Sequence, residues 1–195
     1  SWLQEEQRLL ILFDVDGTIF DSRSLVYYLL KTYDREHGTD WSRGLAAASI
    51  DVHENQIALL VARMGIPRAE ADRLLAWYET HKWNSEFLLE APRPYPGVME
   101  VIRWFQLQPD TCVGVNTGRP ESWRSDTMRS LNRLAAEYRV SFPDELVYLN
   151  QGESVRSGKA SALAHFRGLG YRVFAFVDNE PDNLAAVEAA DPAGE

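Results

Sequence analysis

The sequence lacks several features that mark particular classes of protein. It has one cysteine, Cys112, in 195 residues, so no disulfide can form within the chain. Its longest apolar runs, at 9–13 and 173–177, are far too short to span a bilayer. No secretory signal is visible. These absences predict a protein of a reducing compartment, the cytoplasm, with no membrane partner and with Cys112 buried as a small hydrophobe.

The sequence is also short of positive charge. It carries 20 Lys and Arg against 29 Asp and Glu, which gives a net charge of -9 and a pI near 5.0. The basic residues form no stripe along the chain, so the charge argues against a nucleic-acid partner. The hydrophobic content of 45% is that of a globular protein with its own core. Composition leaves the oligomeric state open.

Apolar runs and amphipathic stretches alternate along most of the chain. Buried strands are predicted at 9–13, 111–115, 146–149 and 172–177. Helices are predicted over 97–107, from Pro120 to about Arg139, from about Lys159 after a capping Ser157, and from Pro181. This alternation is typical of an α/β protein with a parallel sheet and helices on both faces.

The region between the first two strands interrupts this alternation with helical patterns only. Gly38 and Gly65 are predicted to end helices, and Asp51 with Glu54 resembles a capping box. The prediction is an all-helical insertion over 21–92, within a core formed by 1–20 and 93–195.

Polar clusters follow the predicted strands directly. Asp14 and Asp16 come after the first strand, Thr117 after the second and Asp178 after the last. In an open parallel sheet the ligand crevice lies outside the carboxyl ends of the strands, so these side chains are expected to converge.

Asp14 and Asp16 form the most informative cluster, in the stretch Asp14-Val15-Asp16-Gly17-Thr18. Two charged carboxylates ~4 Å apart at an effective dielectric of ~20 repel by about 4 kcal/mol, so the fold must supply a cation or let one group keep its proton. A divalent cation suits the first solution, and a carboxyl that donates a proton suits the second. An Asp-Gly turn with no chemistry is the alternative for this pair.

The other clusters are individually weaker. Thr117 and Gly118 suit the binding of phosphoryl oxygens, but also an ordinary strand-to-helix turn. Lys159 lies near a predicted helix N-terminus, where the helix dipole disfavours it and where an anion would account for it; the alternative is a surface lysine. Asp178 suits a hard cation or a simple helix cap, and Asp182 could hold Lys159 in place or act as a further acid behind the metal ligands.

Taken in order, these clusters resemble the motifs of the haloacid dehalogenase superfamily, across the whole chain. Its pattern is a strand ending in Asp-x-Asp-Gly-Thr, a strand ending in Ser or Thr, a Lys or Arg, and a strand followed by an acidic pair. The residues that match are Asp14 to Thr18, Thr117, Lys159, and Asp178 with Asp182.

The resemblance implies a Rossmann-like core with an α-helical cap and a Mg²⁺ site formed by Asp14, the main-chain carbonyl of Asp16, and Asp178. It implies that Asp14 attacks phosphorus and that Asp16 protonates the leaving alcohol and then activates water. Thr117 and Lys159 would bind the phosphoryl oxygens. The expected activity is hydrolysis of a small phosphorylated metabolite through an aspartyl-phosphate.

Two alternatives remain at this stage. A phosphomutase would pass the phosphoryl group to another hydroxyl on the same scaffold. A non-catalytic binding protein would fit the uncommon last motif, Asp178-Asn179-Glu180-Pro181-Asp182, which leaves the roles of Glu180 and Asp182 open. The sequence does not identify the substrate.

Overall fold

A computed structural model of the chain describes residues 8–191. Its contacts divide the chain into two compact units, one of Ser1–Phe20 with Pro94–Glu195 and one of Asp21–Arg93. The outer ends of the predicted core, 1–7 and 192–195, lie outside the described residues. No helix among the described residues has the length and apolar character needed to cross a membrane.

The first unit is built on a four-stranded sheet in which every neighbouring pair is parallel. The strands are β1 (Arg8–Phe13), β2 (Thr111–Pro120), β3 (Val147–Asn150) and β4 (Tyr171–Val177). Their order across the sheet is β3-β2-β1-β4, so β1 lies inside the sheet between β2 and β4. The predicted parallel α/β fold is confirmed.

Helices cover both faces of this sheet because alternate β1 side chains point to opposite sides. Ile11 and Phe13 lie in one apolar cluster with residues of the helices that follow the insertion and β2. Leu10 and Leu12 lie in a second cluster with residues of the last two helices and the buried Cys112. The helices of this unit are α5 (Val98–Gln106), α6 (Arg124–Ala136), α7 (Val155–Gly168) and α8 (Pro181–Ala190), with short 3-10 turns at Glu121–Trp123 and Asp144–Leu146.

Two boundaries differ from the sequence prediction. Strand β2 continues to Pro120 instead of ending at Val115, and α6 starts at Arg124 after the 3-10 turn. Helix α7 begins at Val155 with Ser154 as its N-cap, so the predicted cap, Ser157, is inside the helix. The earlier start places Lys159 in the second turn of α7, away from the helix terminus.

The second unit, 21–93, is helical throughout its regular structure. Its helices are α1 (Ser22–His37), α2 (Ile57–Arg63), α3 (Arg68–His81) and α4 (Ser85–Glu90), with 3-10 turns at Ala47–Ser49 and Glu54–Gln56. Gly38 ends α1 in the left-handed conformation at φ 66°, as predicted. The capping box predicted at Asp51 is wrong: His53 caps the 3-10 turn, and Asp51 forms an ion pair with Arg63. A buried apolar cluster holds these helices together.

Asp34, in the last turn of α1, organises the loop that follows. Its carboxylate accepts hydrogen bonds from the Thr39 hydroxyl at 2.6 Å, the Trp41 N–H at 3.0 Å and the Ser42 N–H at 2.8 Å, and from the Ser42 hydroxyl. Partial burial raises the pKa of Asp34, but the hydrogen bonds from Ser42 and Thr39 outweigh it, so the net shift is downward. The charged carboxylate therefore stabilises this loop.

We expect Asp34→Asn to lower the free energy of unfolding at pH 7 by about 1–3 kcal/mol, because the amide cannot accept all of these bonds. Because the pKa of Asp34 is lower in the folded protein than the value of about 3.9 in the unfolded chain, its carboxylate stabilises the fold at any pH above 3.9. This stabilisation is lost as the pH falls through the folded-state pKa. The difference between variant and wild type should therefore shrink below about pH 4. Urea denaturation at several pH values measures this, with Asp40→Asn as control because the Asp40 side chain is 72% exposed. An equal loss in both variants would contradict the role of Asp34.

Candidate active site

The ends of β1 and β4 lie side by side and each is followed by an aspartate. Phe13 is in register with Val177, and the Asp14 N–H donates to the Val177 carbonyl at 2.8 Å. Asp14 and Asp178, 164 positions apart in the sequence, are therefore brought to the same edge of the sheet. The parallel pairing of β1 with both neighbours produces this convergence.

Lys159 joins these two acids. Its Nζ lies 2.5 Å from Asp14 Oδ1 and 2.9 Å from Asp178 Oδ2, and it also donates to the Asn116 carbonyl at 2.6 Å. The lysine side chain is only 1% exposed. It is therefore not a surface residue, which was the alternative open to the sequence, and its charge is balanced by two carboxylates in a buried position.

The Asp14 carboxyl has a perturbed pKa. Burial raises its pKa to about 7; the Lys159 charge opposes this shift and the nearby Asp178 adds to it. The causes are those expected of a carboxylate removed from water beside one cation and one anion. Perturbation of this kind is typical of functional carboxylates.

Asp16, two residues after Asp14, faces a different cation. Arg119 Nε and Nη2 donate to its Oδ2 and Oδ1, each at 2.7 Å. The two aspartates of the first motif are therefore neutralised separately, Asp14 by Lys159 and Asp16 by Arg119. The sequence had left open whether a bound cation or a proton would relieve their repulsion; in this structure two basic side chains do so.

Thr117 lies in β2 directly after Asn116, whose carbonyl Lys159 contacts. The Thr117 hydroxyl oxygen accepts the Arg119 N–H at 3.2 Å, and its own proton can be donated elsewhere. Gly118 runs close to α7, because a β-carbon built at Gly118 would lie 3.0 Å from a Val155 methyl. The Thr117–Gly118 segment therefore passes close to the start of α7 and leads directly into Arg119, which contacts Asp16.

The acidic loop after β4 is organised by Asn183. The fully buried Asp178 carboxylate accepts from the Glu180 N–H at 2.8 Å and from Asn183 Nδ2 at 3.2 Å to each oxygen. Asp182, predicted to support Lys159, instead forms an ion pair with Arg156, and its side chain is 66% exposed. The next residue, Asn183, is the one that turns inward from α8, and it contacts Asp178 and not Lys159.

Gly17 allows the first motif to pass close to the loop after β4. It has φ +81°, and a β-carbon there would lie 2.5 Å from Asn179 Nδ2. Gly44, in the helical unit, has φ +76° with nothing within 4 Å. The two glycines share a left-handed backbone and differ in the space around them.

We expect Gly17→Ala to lower the free energy of unfolding by about 2–4 kcal/mol, because the left-handed strain adds to a steric clash. Gly44→Ala isolates the backbone strain and should cost about 1 kcal/mol. Chemical denaturation of both variants measures the difference. Equal costs would show that the close approach of Asn179 is unimportant.

Sequence reasoning missed the site roles of Asn116 and Asn183. It also did not predict that the Arg119 side chain is buried. All three lie within or next to the motif segments, but nothing in the sequence says that their side chains turn inward. The useful signal was proximity: Asn116 and Arg119 flank Thr117, and Asn183 lies one turn after the strand-end acid.

The donor set fits a divalent cation. Asp14 Oδ1 lies 2.5 Å and Asp178 Oδ2 lies 2.9 Å from the same atom, Lys159 Nζ. The two carboxylate oxygens are therefore at most about 5.4 Å apart. Among residues 8–191 no group of three or more acidic, His or Cys side chains is arranged as a metal site. A site of two carboxylates and one main-chain carbonyl, with water and substrate completing it, needs no third side chain and is typical of Mg²⁺.

Comparison with known proteins identifies the family. The sequence model of one protein family, the haloacid dehalogenase-like hydrolases, matches residues 9–191, which is nearly the whole chain. The chain belongs to the haloacid dehalogenase-like hydrolases. This match covers every motif residue discussed above and the helical unit between the first two motifs. No curated protein sequence matches the chain significantly.

Solved structures of similar proteins support the fold. A haloacid dehalogenase superfamily hydrolase (subfamily IA) from Geobacter sulfurreducens is 17% identical, with 94% of this chain and 83% of that chain covered and a TM-score of 0.55. A candidate phosphatase from Clostridium difficile is 12% identical, with 93% and 81% covered and a TM-score of 0.58. Protein Tyrosine Kinase A of Mycobacterium tuberculosis is 17% identical, with 95% and 81% covered and a TM-score of 0.56. At these identities the similarity shows the fold alone.

Proposed function

We propose that this hydrolase cleaves small-molecule phosphate monoesters with the help of Mg²⁺, through an aspartyl-phosphate on Asp14. The observation that carries the proposal is the buried contact of one lysine with the carboxylates of Asp14 and Asp178, beside a second aspartate at Asp16. A lone Asp-Gly turn would not need such a cation.

Asp14 is the proposed nucleophile. Its carboxylate oxygen forms a bond to phosphorus while the bond from phosphorus to the leaving alcohol breaks. Lys159 contacts Asp14 already and would bind the phosphoryl oxygens as their charge is redistributed, and the Thr117 hydroxyl would donate to another of them. Both donors are held by buried contacts, so they need little reorganisation during the reaction.

Asp16 is the proposed acid and base. In this step one Asp16 oxygen would release its bond to Arg119 and carry a proton, which it gives to the oxygen of the leaving alcohol. The same oxygen then takes a proton from the water that attacks the aspartyl-phosphate. That attack breaks the bond between phosphorus and Asp14, which restores the carboxylate and releases inorganic phosphate. The sequence Asp14-Val15-Asp16 keeps the nucleophile and the proton carrier two residues apart on one loop.

Asp14, Asp178 and the carbonyl of Asp16 would hold the magnesium ion. When bound, the ion offsets the repulsion between the carboxylates and the substrate phosphate and orients the phosphoryl group. Burial and the Asp178 charge raise the pKa of Asp14, and a bound cation would act in the opposite direction by favouring the carboxylate needed for attack.

The helical unit, 21–93, is proposed to be the cap that selects the substrate. It carries its own apolar core and is inserted between the first and second motifs. Caps of this kind close over bound substrates and exclude water. A small phosphorylated metabolite is the proposed substrate class.

A panel of phosphorylated metabolites assayed with and without Mg²⁺ tests the proposal. We expect release of inorganic phosphate from at least one ester, and loss of this activity when EDTA removes the metal. Isomerised substrate without phosphate release would identify a phosphomutase instead. Binding of Mg²⁺ by calorimetry with no turnover of any ester would contradict an enzymatic role.

A further inference from the structure

Arg119 is a buried cation whose guanidinium points at the second aspartate of the first motif. Its side chain is 3% exposed, and it forms two parallel hydrogen bonds of 2.7 Å with the carboxylate of Asp16. A planar guanidinium that meets a carboxylate in this way fixes its direction as well as its distance. The orientation of Asp16 is therefore set from behind by Arg119.

The guanidinium is itself held in place. Nη1 donates to the Thr127 hydroxyl at 3.4 Å, and the guanidinium carbon lies 5.9 Å from the centre of the Phe20 ring. The Arg119 N–H donates to Thr117 Oγ1. Thr127 is completely buried, so the arginine is anchored in the body of the first unit.

Exposure distinguishes the two partners. The Asp16 side chain is 19% exposed and that of Arg119 is 3% exposed, so Asp16 is the partner that faces outward. The Arg119 guanidinium therefore offers almost no surface to a substrate phosphate, whereas the Asp16 carboxyl is partly open. This burial argues against Arg119 as a direct phosphate ligand, which is the common use of an arginine in a phosphate site.

Stability alone is a weak reason for such a pair. Replacing both partners of a buried ion pair with apolar groups is often neutral or stabilising, because burying a charge costs solvation energy. An arginine fork matched to one carboxylate is better explained by the geometry that it imposes on that carboxylate.

We propose that Arg119 is a positioning residue for proton transfer by Asp16, and this inference rests on the proposed function. One carboxylate oxygen keeps its bond to Arg119 while the other carries the proton to the leaving alcohol and later receives one from water. Arg119 acts on the substrate only through the Asp16 carboxylate, and one of its two bonds to that carboxylate is released when the oxygen takes up the proton.

The test is a double-mutant cycle between Arg119→Met and Asp16→Asn. With an alkyl phosphate from the panel, whose leaving group needs a proton, we expect Arg119→Met to lower kcat about 10–100-fold with little change in KM. With p-nitrophenyl phosphate, whose leaving group departs without a proton, the loss should be several-fold smaller. In the Asp16→Asn background Arg119→Met should cause no further loss beyond about twofold, because the two residues act as one unit.

Arg119→Lys serves as the conservative variant. Lysine keeps the charge but cannot form two parallel bonds, so we expect it to recover less than about a tenth of the activity that Arg119→Met loses. Arg103→Met is the control for loss of an arginine in the same unit, because Arg103 Nη1 reaches only the Arg139 carbonyl among the contacts of the described residues, at an exposed position. Circular dichroism and urea denaturation check folding, and the double variant should be folded at least as well as Arg119→Met because neither charge is left unpaired.

The outcomes separate this inference from the proposed function. Equal losses from Arg119→Met in the wild-type and Asp16→Asn backgrounds, or full rescue by lysine, would overturn the positioning role while leaving the hydrolase intact. A wild-type enzyme inert towards every ester would overturn both. The inference is supported if the effects of Arg119→Met and Asp16→Asn on kcat are coupled with the alkyl ester and are not coupled with p-nitrophenyl phosphate.

Discussion

Replacing Asp14 with asparagine is expected to reduce the rate of phosphate release by at least about 10⁴-fold. Losses of this size follow when the nucleophile is removed from an active site whose residues act together. Asparagine has nearly the same shape, and its amide oxygen can still accept the hydrogen bond from Lys159, but it cannot form an aspartyl-phosphate. Steady-state release of phosphate measures the effect. The fold should survive, since Asp14 is held in position by its N–H bond to the Val177 carbonyl as well as by its side chain.

The matched control for this variant is Asp144→Asn. Asp144 belongs to the same unit, but its side chain is 69% exposed and pairs with Arg124 at the surface. It should keep nearly full activity, because a surface ion pair contributes little. Full magnesium-dependent turnover by Asp14→Asn would remove Asp14 from the role of nucleophile.

Lys159→Met is the second variant for which we expect a large effect. Without the lysine, the Asp14 and Asp178 carboxylates face each other in a buried position with no cation between them. Breaking a buried ion pair by removing one partner costs about 3–5 kcal/mol, and the metal-free variant should lose roughly that much stability. Turnover should fall about 10²–10³-fold, because a donor to the phosphoryl oxygens is lost.

Magnesium gives this second prediction an internal check. A divalent ion bound by the same carboxylates would replace the missing positive charge, so Mg²⁺ should raise the melting temperature of Lys159→Met more than that of the wild type. Lys82→Met is the control: Lys82 is also buried, but its partner Glu79 is 54% exposed and stays solvated when the lysine is removed. We expect a loss of about 1 kcal/mol there and no response to Mg²⁺. Equal losses in the two variants would show that Lys159 has no special place between the acids.

The fold could be predicted from the sequence because its signals are local. Continuous apolar runs predicted the four strands of the sheet, with β1, β3 and β4 correct to within one residue at each end, and their alternation with helices predicted the parallel arrangement. The extension of β2 to Pro120 was missed because pairing with β3, whose last residue Asn150 is in register with Pro120, overrides the turn signal of Gly118. Helix α7 was placed a turn too late because two serines, Ser154 and Ser157, offered equivalent caps.

The contacts of the candidate site were less predictable from the sequence. Strand-end placement correctly implied that Asp14 and Asp178 would meet, since that follows from topology alone. It could not show that Lys159 would be buried between them, because the depth of a side chain depends on the helix register. Nor could it show that Asp182, predicted to hold Lys159, would pair with Arg156 while Asn183 contacts Asp178, since only the direction of α8 separates these two neighbours.

Charge compensation explains why the site looks as it does. Three carboxylates at one edge of a sheet would repel strongly in a region of low dielectric. Two basic side chains from distant parts of the chain offset this repulsion: Lys159 from α7 lies between Asp14 and Asp178, and Arg119 from β2 pairs with Asp16. Lys159 is thereby left beside the proposed nucleophile and Arg119 beside the proposed proton carrier, so the charges that allow the site to fold are also those that its chemistry requires.

The central claim is that Asp14 carries the phosphoryl group during turnover. The most direct measurement is to quench the enzyme with acid during reaction with its best ester and Mg²⁺, reduce the acyl-phosphate with borohydride, and map the modified residue by mass spectrometry. We predict homoserine at position 14 in the wild type and no modification in Asp14→Asn. A phosphorylated or reduced residue at any other position, or an active enzyme that never modifies Asp14, would contradict this account.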